Sequence, residues 1–289
     1  MTDTQAPQRQ TRMQRRLRTA ASVPVTAWIG FVVIAIYLFA AIFAPLLAPY
    51  GEAELVGRPF QPWGDEFRLG TDQLGRDLLS RLIYGARNTI GIAALTTMLS
   101  FFIGVSLGLL AVVRGGLFDH ILSRASDVLM SIPQLIFALL LLSAFGATAV
   151  NLILILAIID STRVFRLARA TAISVVAMDY YEAARIRGEG VVWMMRREIL
   201  PNILPPLIAE VGLRFCFVFL AISGLSFLGV GIQPPTADWG SMVRESATLI
   251  SYGNIMPLLP AAAIAILTIA VNFVADWFLN QTSGLRDAK

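Results

Sequence analysis

The residue types that carry most protein chemistry are scarce in this sequence. Its 289 residues hold one histidine, His120, one cysteine, Cys216, and one lysine, Lys289. A lone histidine makes a His-based zinc site or a Ser-His hydrolase hard to build, and a lone cysteine excludes an intramolecular disulfide. A P-loop needs a lysine inside its Gly-rich turn, so the chain carries no Walker-type ATP site. His120, beside Asp119, reads as a surface residue, and Cys216, among Phe215, Phe217 and Phe219, as a small apolar filler. One charged pair stands out. Glu210 and Arg214 lie at i,i+4, acid first, inside an otherwise uncharged apolar run. Facing lipid there would cost ~2.5–3.5 kcal/mol for the arginine. The two must therefore face protein or a water-filled path. A structural ion pair and the inner wall of a cavity both satisfy that requirement.

The elements that must hold this pair follow from composition. Apolar residues make up 56% of the chain and charged residues 15%, where a soluble domain carries roughly 25% charge. The excess apolar surface needs lipid. Apolar runs with few or no charges, set against the about 20 residues that a crossing needs, give six candidate spans. They are 25–47, 88–113, 128–145 with a kink at Pro133, 147–159, 203–232 and 255–279. The fourth run spans only if its helix continues through Asp160 and Arg163, which at i,i+3 can pair near the interface. The first run lacks a cleavage site and reads as a retained helix. Gly91, Gly104 and Gly108 suggest close helix packing, and Trp28, Trp239 and Trp277, near span ends, suggest interfacial anchors.

The net charge of +4 reads through the location of the charges, and nucleic acid is not implied. With both termini inside, sixteen basic residues fall on inner segments and six on outer ones. The inner set includes Arg9, Arg12, Arg15, Arg16 and Arg18 before the first span, and Arg286 and Lys289 after the last. The positive-inside rule then gives N-in, C-in. The resulting organisation is an inner segment 1–24, a first helix 25–47, an outer loop 48–87, a five-helix core 88–280 and a tail 281–289.

Two segments outside the spans are patterned. In the outer loop, Leu74, Leu78 and Leu82 recur at i, i+4, i+8, with Arg76, Asp77 and Arg81 on other faces. This predicts an amphipathic helix along the membrane surface, capped by Thr71 or Asp72. The inner segment 177–201 predicts a helix over about 179–187, a break at Gly188 and Gly190, and a second helix ended by Pro201. Glu182 can pair with Arg185, and Arg185 with Glu189. A short helix projecting on a break suits docking in another protein's cleft, although a solvated basic loop has the same charge.

Glu182-Ala183-Ala184, then Gly188, then Leu200-Pro201, resembles the EAA loop of membrane subunits of bacterial ABC importers, with Glu198 where that motif usually has isoleucine. AIFAPLLAPYG (41–51), LGTDQLGRDLLSRLIYGAR (69–87) and GLSFLGVGIQPPTADWG (224–240) resemble the C-type permease subunit of the dipeptide/oligopeptide/nickel family. The resemblance extends over about residues 38–245. It implies an all-α polytopic permease of the type I importer fold, set in the bacterial inner membrane. It also implies a homologous second permease subunit, two cytosolic ATPases and an external binding protein. Glu182, Ala183, Ala184, Gly188, Leu200 and Pro201 would form the ATPase-coupling loop. Glu210 and Arg214 become candidates for the translocation path, where they would meet the termini of a peptide. No cofactor is expected on this chain, since ATP and magnesium would sit on the partners. Relatives with these blocks also move nickel, opines or glutathione. Rival classes are a secondary transporter or channel, which should show inverted repeats or several midplane carboxylates, and an intramembrane enzyme, for which His120 is a poor base.

Overall fold

The computed structural model describes residues 24–284. The inner arginines Arg9 to Arg18, with Arg286 and Lys289, lie outside the described residues. Among the described residues eleven α-helices follow in order: α1 (Val25–Ile42), α2 (Ala44–Leu47), α3 (Leu78–Arg114), α4 (Gly116–Ser131), α5 (Gln134–Phe145), α6 (Ala149–Val176), α7 (Asp179–Ile186), α8 (Val191–Trp193), α9 (Leu200–Phe227), α10 (Trp239–Ser246) and α11 (Leu258–Gly284). A π turn, Met194–Ile199, joins α8 to α9, and a 3-10 turn, Ala247–Tyr252, follows α10. No strand occurs among the described residues; a single bridge pairs Thr71 with Asp77. Helices close every backbone hydrogen bond internally, which lipid requires.

Among the described residues four helices are long and apolar enough to cross a membrane: α1, α3, the continuous Val191–Phe227 helix and Leu258–Gln281. The α4–α5 pair, bent by 92°, makes a fifth if it counts as one span. The bend lies at Pro133, where Ile132 is pushed into the extended region (φ −91°, ψ 130°) by the proline ring that follows it. Helix α6 is longer than most spans, and it continues through Asp160 and Arg163 as a crossing there demands. Four charges, Asp160, Arg163, Arg166 and Arg169, keep it out of the simple apolar class.

Three expectations need correction. The outer amphipathic helix does not form as a separate element. Helix α3 is continuous for 37 residues, Asp77 caps it by accepting from the Ser80 amide, and neither Thr71 nor Asp72 does so. Arg76, Asp77 and Arg81 are buried, because Asp72 and the distant Glu245 together neutralise the two arginines. Second, Pro201 does not end a helix. It sits in the first turn of α9, after the π turn, where a proline's missing N–H and ring are tolerated. Third, Trp239 is not an interfacial anchor. It is buried under α3, its indole N–H donates to the Leu82 carbonyl at 2.9 Å, and Tyr37 and Phe219 meet its ring edge-on.

Helices α3 and α6 pack at close range along two glycines. A Cβ on Gly104 would lie 2.6 Å from the Ser161 carbonyl oxygen and from Val164 Cβ, and one on Gly108 would lie 3.0 Å from Ala168 Cβ. Gly91 has open space instead. Small residues let helix backbones approach where no hydrophobic drive between helices exists. Gly104→Val is therefore expected to destabilise the purified protein by about 1–3 kcal/mol, while Gly91→Ala stays neutral. Thermal melting of the two detergent-solubilised variants checks the contrast, and equal melting would contradict it.

Candidate functional site

The segment after α6 is built to present a short helix. Val175 and Met178 close a turn, and α7 begins with Asp179 and Glu182 in its first turn, where acids suit the helix dipole. Tyr181 is buried in one cluster with Leu109, Ala168, Ala172, Met194 and Ile199 and holds α7 to the bundle, and Ala184 is buried as well. Glu182, Ala183, Arg185 and Ile186 face outward. Glu182 and Arg185 pair loosely at 3.6 Å; Glu189 pairs with Arg187 at 3.7 Å, and the expected Arg185–Glu189 pair does not form. Gly188 follows at φ +80° with empty space around its Cα. Its backbone angle, not crowding, calls for glycine. Leu200 and Pro201 lie apart from α7, at the joint between the π turn and α9, with Leu200 half-buried and Pro201 exposed. The fold thus brings Glu182, Ala183 and Gly188 to one surface, places Ala184 beneath them, and sets Leu200 and Pro201 behind.

The second cluster lies within the bundle. Arg214 Nε donates to Glu210 Oε1 at 2.6 Å, so the expected i,i+4 pair is made. A third charge joins it. Asp160 of α6, fully buried, places Oδ1 3.7 Å from Arg214 Nη1 and accepts from Ser100 Oγ of α3 at 3.1 Å. The Arg214 guanidinium also lies over the Phe217 ring, 4.9 Å from its centre. Asp160 does not pair with Arg163, which instead donates to Gln134 Oε1 of α5 at 3.0 Å. Asp160 is the residue that sequence reasoning missed. It stood at the edge of the weakest span, and only the packing of α6 on α9 brings it to Arg214.

The outer end holds a further network. Asp72 Oδ2 accepts from Arg76 Nε at 2.6 Å and from Arg81 Nη1, while Glu245 of α10 accepts from Arg76 Nη2 at 3.2 Å and from Arg81 Nη1 at 2.9 Å. Burial alone would raise the Asp72 carboxyl. The Arg76 and Leu74 amides and the two guanidinium groups outweigh it and hold that carboxyl below its ordinary 3.8. Nearby, Glu52 accepts from Asn88 and the Ala237 amide, and Asp238 caps α10 and accepts from Thr89. These bonds tie the outer loop, the start of α3 and α10 into one unit.

The family model for the binding-protein-dependent transport system inner membrane component matches residues 100–282, and that for the N-terminal TM domain of oligopeptide transport permease C matches residues 25–62. The chain belongs to this ABC permease family. It is 39% identical over 269 residues to a dipeptide transport system permease protein of Escherichia coli, covering 91% of this chain and 87% of the relative. It is 35% identical over 266 residues to a di/tripeptide transport system permease protein of Pseudomonas aeruginosa, covering 90% and 86%. The same fold occurs in a crystal structure of an amino acid ABC transporter with histidines, with a TM-score of 0.50 and 22% identity over 70% of this chain and 94% of that one. This permease is accordingly a multi-pass membrane protein of the type I importer fold, in a family that works with ATPase and binding-protein components.

In this permease, Asp72→Asn removes the carboxylate that two buried guanidinium groups share, at an expected cost of about 3–5 kcal/mol. Because the folded-state carboxyl lies below its unfolded value, its contribution is complete above the unfolded value and is lost as pH falls through the folded one. Melting temperature of the wild type should therefore drop further below about pH 4 than that of Asp72→Asn. Parallel pH curves for the two would contradict this.

Proposed function

We propose that this chain is one half of the translocation path of an ATP-driven importer for di- and oligopeptides in the bacterial inner membrane. Its partner in the membrane is a homologous second permease subunit. Two cytosolic ATPases bind the ATP and magnesium, an external binding protein delivers the peptide, and this chain catalyses no reaction itself. The arrangement is six spans with both termini inside, α6 and the bent α4–α5 pair each counting as one crossing. The peptide reading is supported by relatives named as dipeptide and di/tripeptide permeases.

The observation that carries the coupling assignment is the form of α7. A helix of eight residues, with Tyr181 and Ala184 buried, leaves Glu182 and Ala183 exposed and is followed by Gly188 at positive φ. The small Ala183 allows a partner's surface to approach closely, and Glu182 offers an anchor for a partner arginine. ATP-driven closure of the ATPases then moves α7 and, through Met194 and the π turn, rocks α9.

Glu182→Lys sets a like charge against a basic groove and should uncouple the complex. Peptide uptake by reconstituted transporter is expected to fall on the order of tenfold, while the subunits still co-purify and ATP is still hydrolysed. An assembled Glu182→Lys complex with wild-type uptake contradicts the assignment. Purification of the wild-type chain without any ATPase subunit contradicts the wider reading.

A further inference from the structure

A groove follows one side of α3 and is charged only at one end. Its first part, about 490 Å³, is lined by Phe102, Val105, Leu109, Met195, Arg196 and Leu200. Phe102 also lines a second part of about 640 Å³, walled by Tyr37, Met98, Phe101, Val211, Phe215 and Leu267 from α1, α3, α9 and α11. The hydroxyls in that second part are already used. Tyr37 Oη donates to the Ala263 carbonyl at 3.2 Å, and Thr97 Oγ1 to the Ala93 carbonyl at 2.8 Å. Nothing there calls for a polar occupant, and Met98 and Phe102 stand 70% and 71% exposed.

The first part ends in charge. Arg196 and Arg197 are both exposed on the π turn, at the start of the Val191–Phe227 span. Neither makes an ion pair among the described residues, and Glu198, the acid next to them in the chain, engages neither. Arg114 ends α3 nearby, since Val112 and Val113 pack against the cluster that holds Met194. A basic pocket between membrane helices at the inner interface suits the head group of an anionic lipid. From Leu109 to Met98 the groove follows α3 for about 16 Å, half of a roughly 30 Å hydrocarbon core. A protein helix laid there would have to bring its own acid to Arg196. A phospholipid supplies the anion and the apolar chain in one molecule.

We propose that this groove holds one anionic phospholipid of the inner leaflet. Its phosphate lies on Arg196, with Arg197 beside it, and an acyl chain runs along Leu109, Val105 and Phe102 towards Met98. The choice of leaflet rests on the topology proposed above, whereas the site itself depends neither on that topology nor on the substrate. Because Met195 and Arg196 belong to the turn that leads into α9, the bound lipid braces that turn against α3.

Native mass spectrometry of the complete transporter in neutral detergent, titrated with phosphatidylglycerol or phosphatidylcholine, tests the site. Wild type is expected to take one phosphatidylglycerol in preference to phosphatidylcholine. Arg196→Gln, at an exposed position, should weaken that binding about fivefold and leave phosphatidylcholine unchanged. Arg124→Gln removes the same charge from an exposed position outside the groove and should change nothing. Ser106→Trp fills the first part of the groove and should remove the preferred site. Equal binding of the two lipids by wild type overturns the proposal, as does unchanged phosphatidylglycerol binding in Arg196→Gln or in Ser106→Trp. An equal loss in Arg196→Gln and Arg124→Gln also overturns it, because net charge would then explain the preference. If inorganic phosphate alone raises the melting temperature of the complex, and Arg196→Gln abolishes that rise, the occupant is a free anion and the lipid is excluded. If the isolated chain binds the lipid and the assembled complex does not, the partner subunit fills the groove, and the lipid is again excluded.

Discussion

A charge placed at membrane depth must find a partner or an aqueous face, and much of this bundle is arranged around that constraint. Asp160, Arg214 and Glu210 join α6 to α9, with Ser100 of α3 as a further donor. Truncating one member of such a pair costs about 3–5 kcal/mol, because the other is left buried and unmatched. The Ser100–Asp160 bond lies one helical turn from Gly104, where α3 and α6 approach closely. At the outer end the same constraint gives Asp72, Arg76, Arg81 and Glu245, which lock the outer loop to α10. The long helices are thus positioned by polar links at two levels, with apolar clusters beside them.

Local rules made part of this legible. The ring of Pro133 forces its neighbour out of helix, so the 92° bend could be read from one residue. Gly188 lies at the left-handed position that follows a helix end, and Glu210 and Arg214 pair because their spacing leaves them on one face. What escaped the sequence was long-range. Arg76 and Arg81 read as a solvated helix face because Glu245, their partner, is more than 160 residues away. Asp160 read as an interfacial residue for the same reason, and Trp239 as an anchor until α3 covered it. Pro201 misled for a different reason, since a π turn resets the helix immediately before it. Among the site residues, Glu182, Ala183 and Gly188 were placed together by local spacing, while the third charge beside Arg214 needed the tertiary fold.

The two clusters divide the work of the proposed importer between them. The surface at α7 is exposed and, in the proposed importer, meets a protein partner, whereas the charges around Arg214 are largely enclosed, Glu210 being the most exposed of the three. Tyr181 joins α7 to the cluster that contains Met194, Ile199 and Ile203, and in the proposed importer a push on α7 would pass into α9 through these packed side chains. Interiors packed at this density transmit displacement and do not absorb it.

The central claim is that α7 lies on the cytosolic side against an ATPase subunit. Photo-crosslinking tests it most directly, with a benzophenone amino acid placed at Ala183 or Ile186, both exposed on α7, and as a control at Leu55 in the outer loop. The account predicts crosslinks from positions 183 and 186 to the ATPase subunit in assembled membranes, with an efficiency that changes when ATP is bound, and none from position 55. Crosslinks to the ATPase from position 55, or none from either α7 position in an assembled and transporting complex, would contradict it.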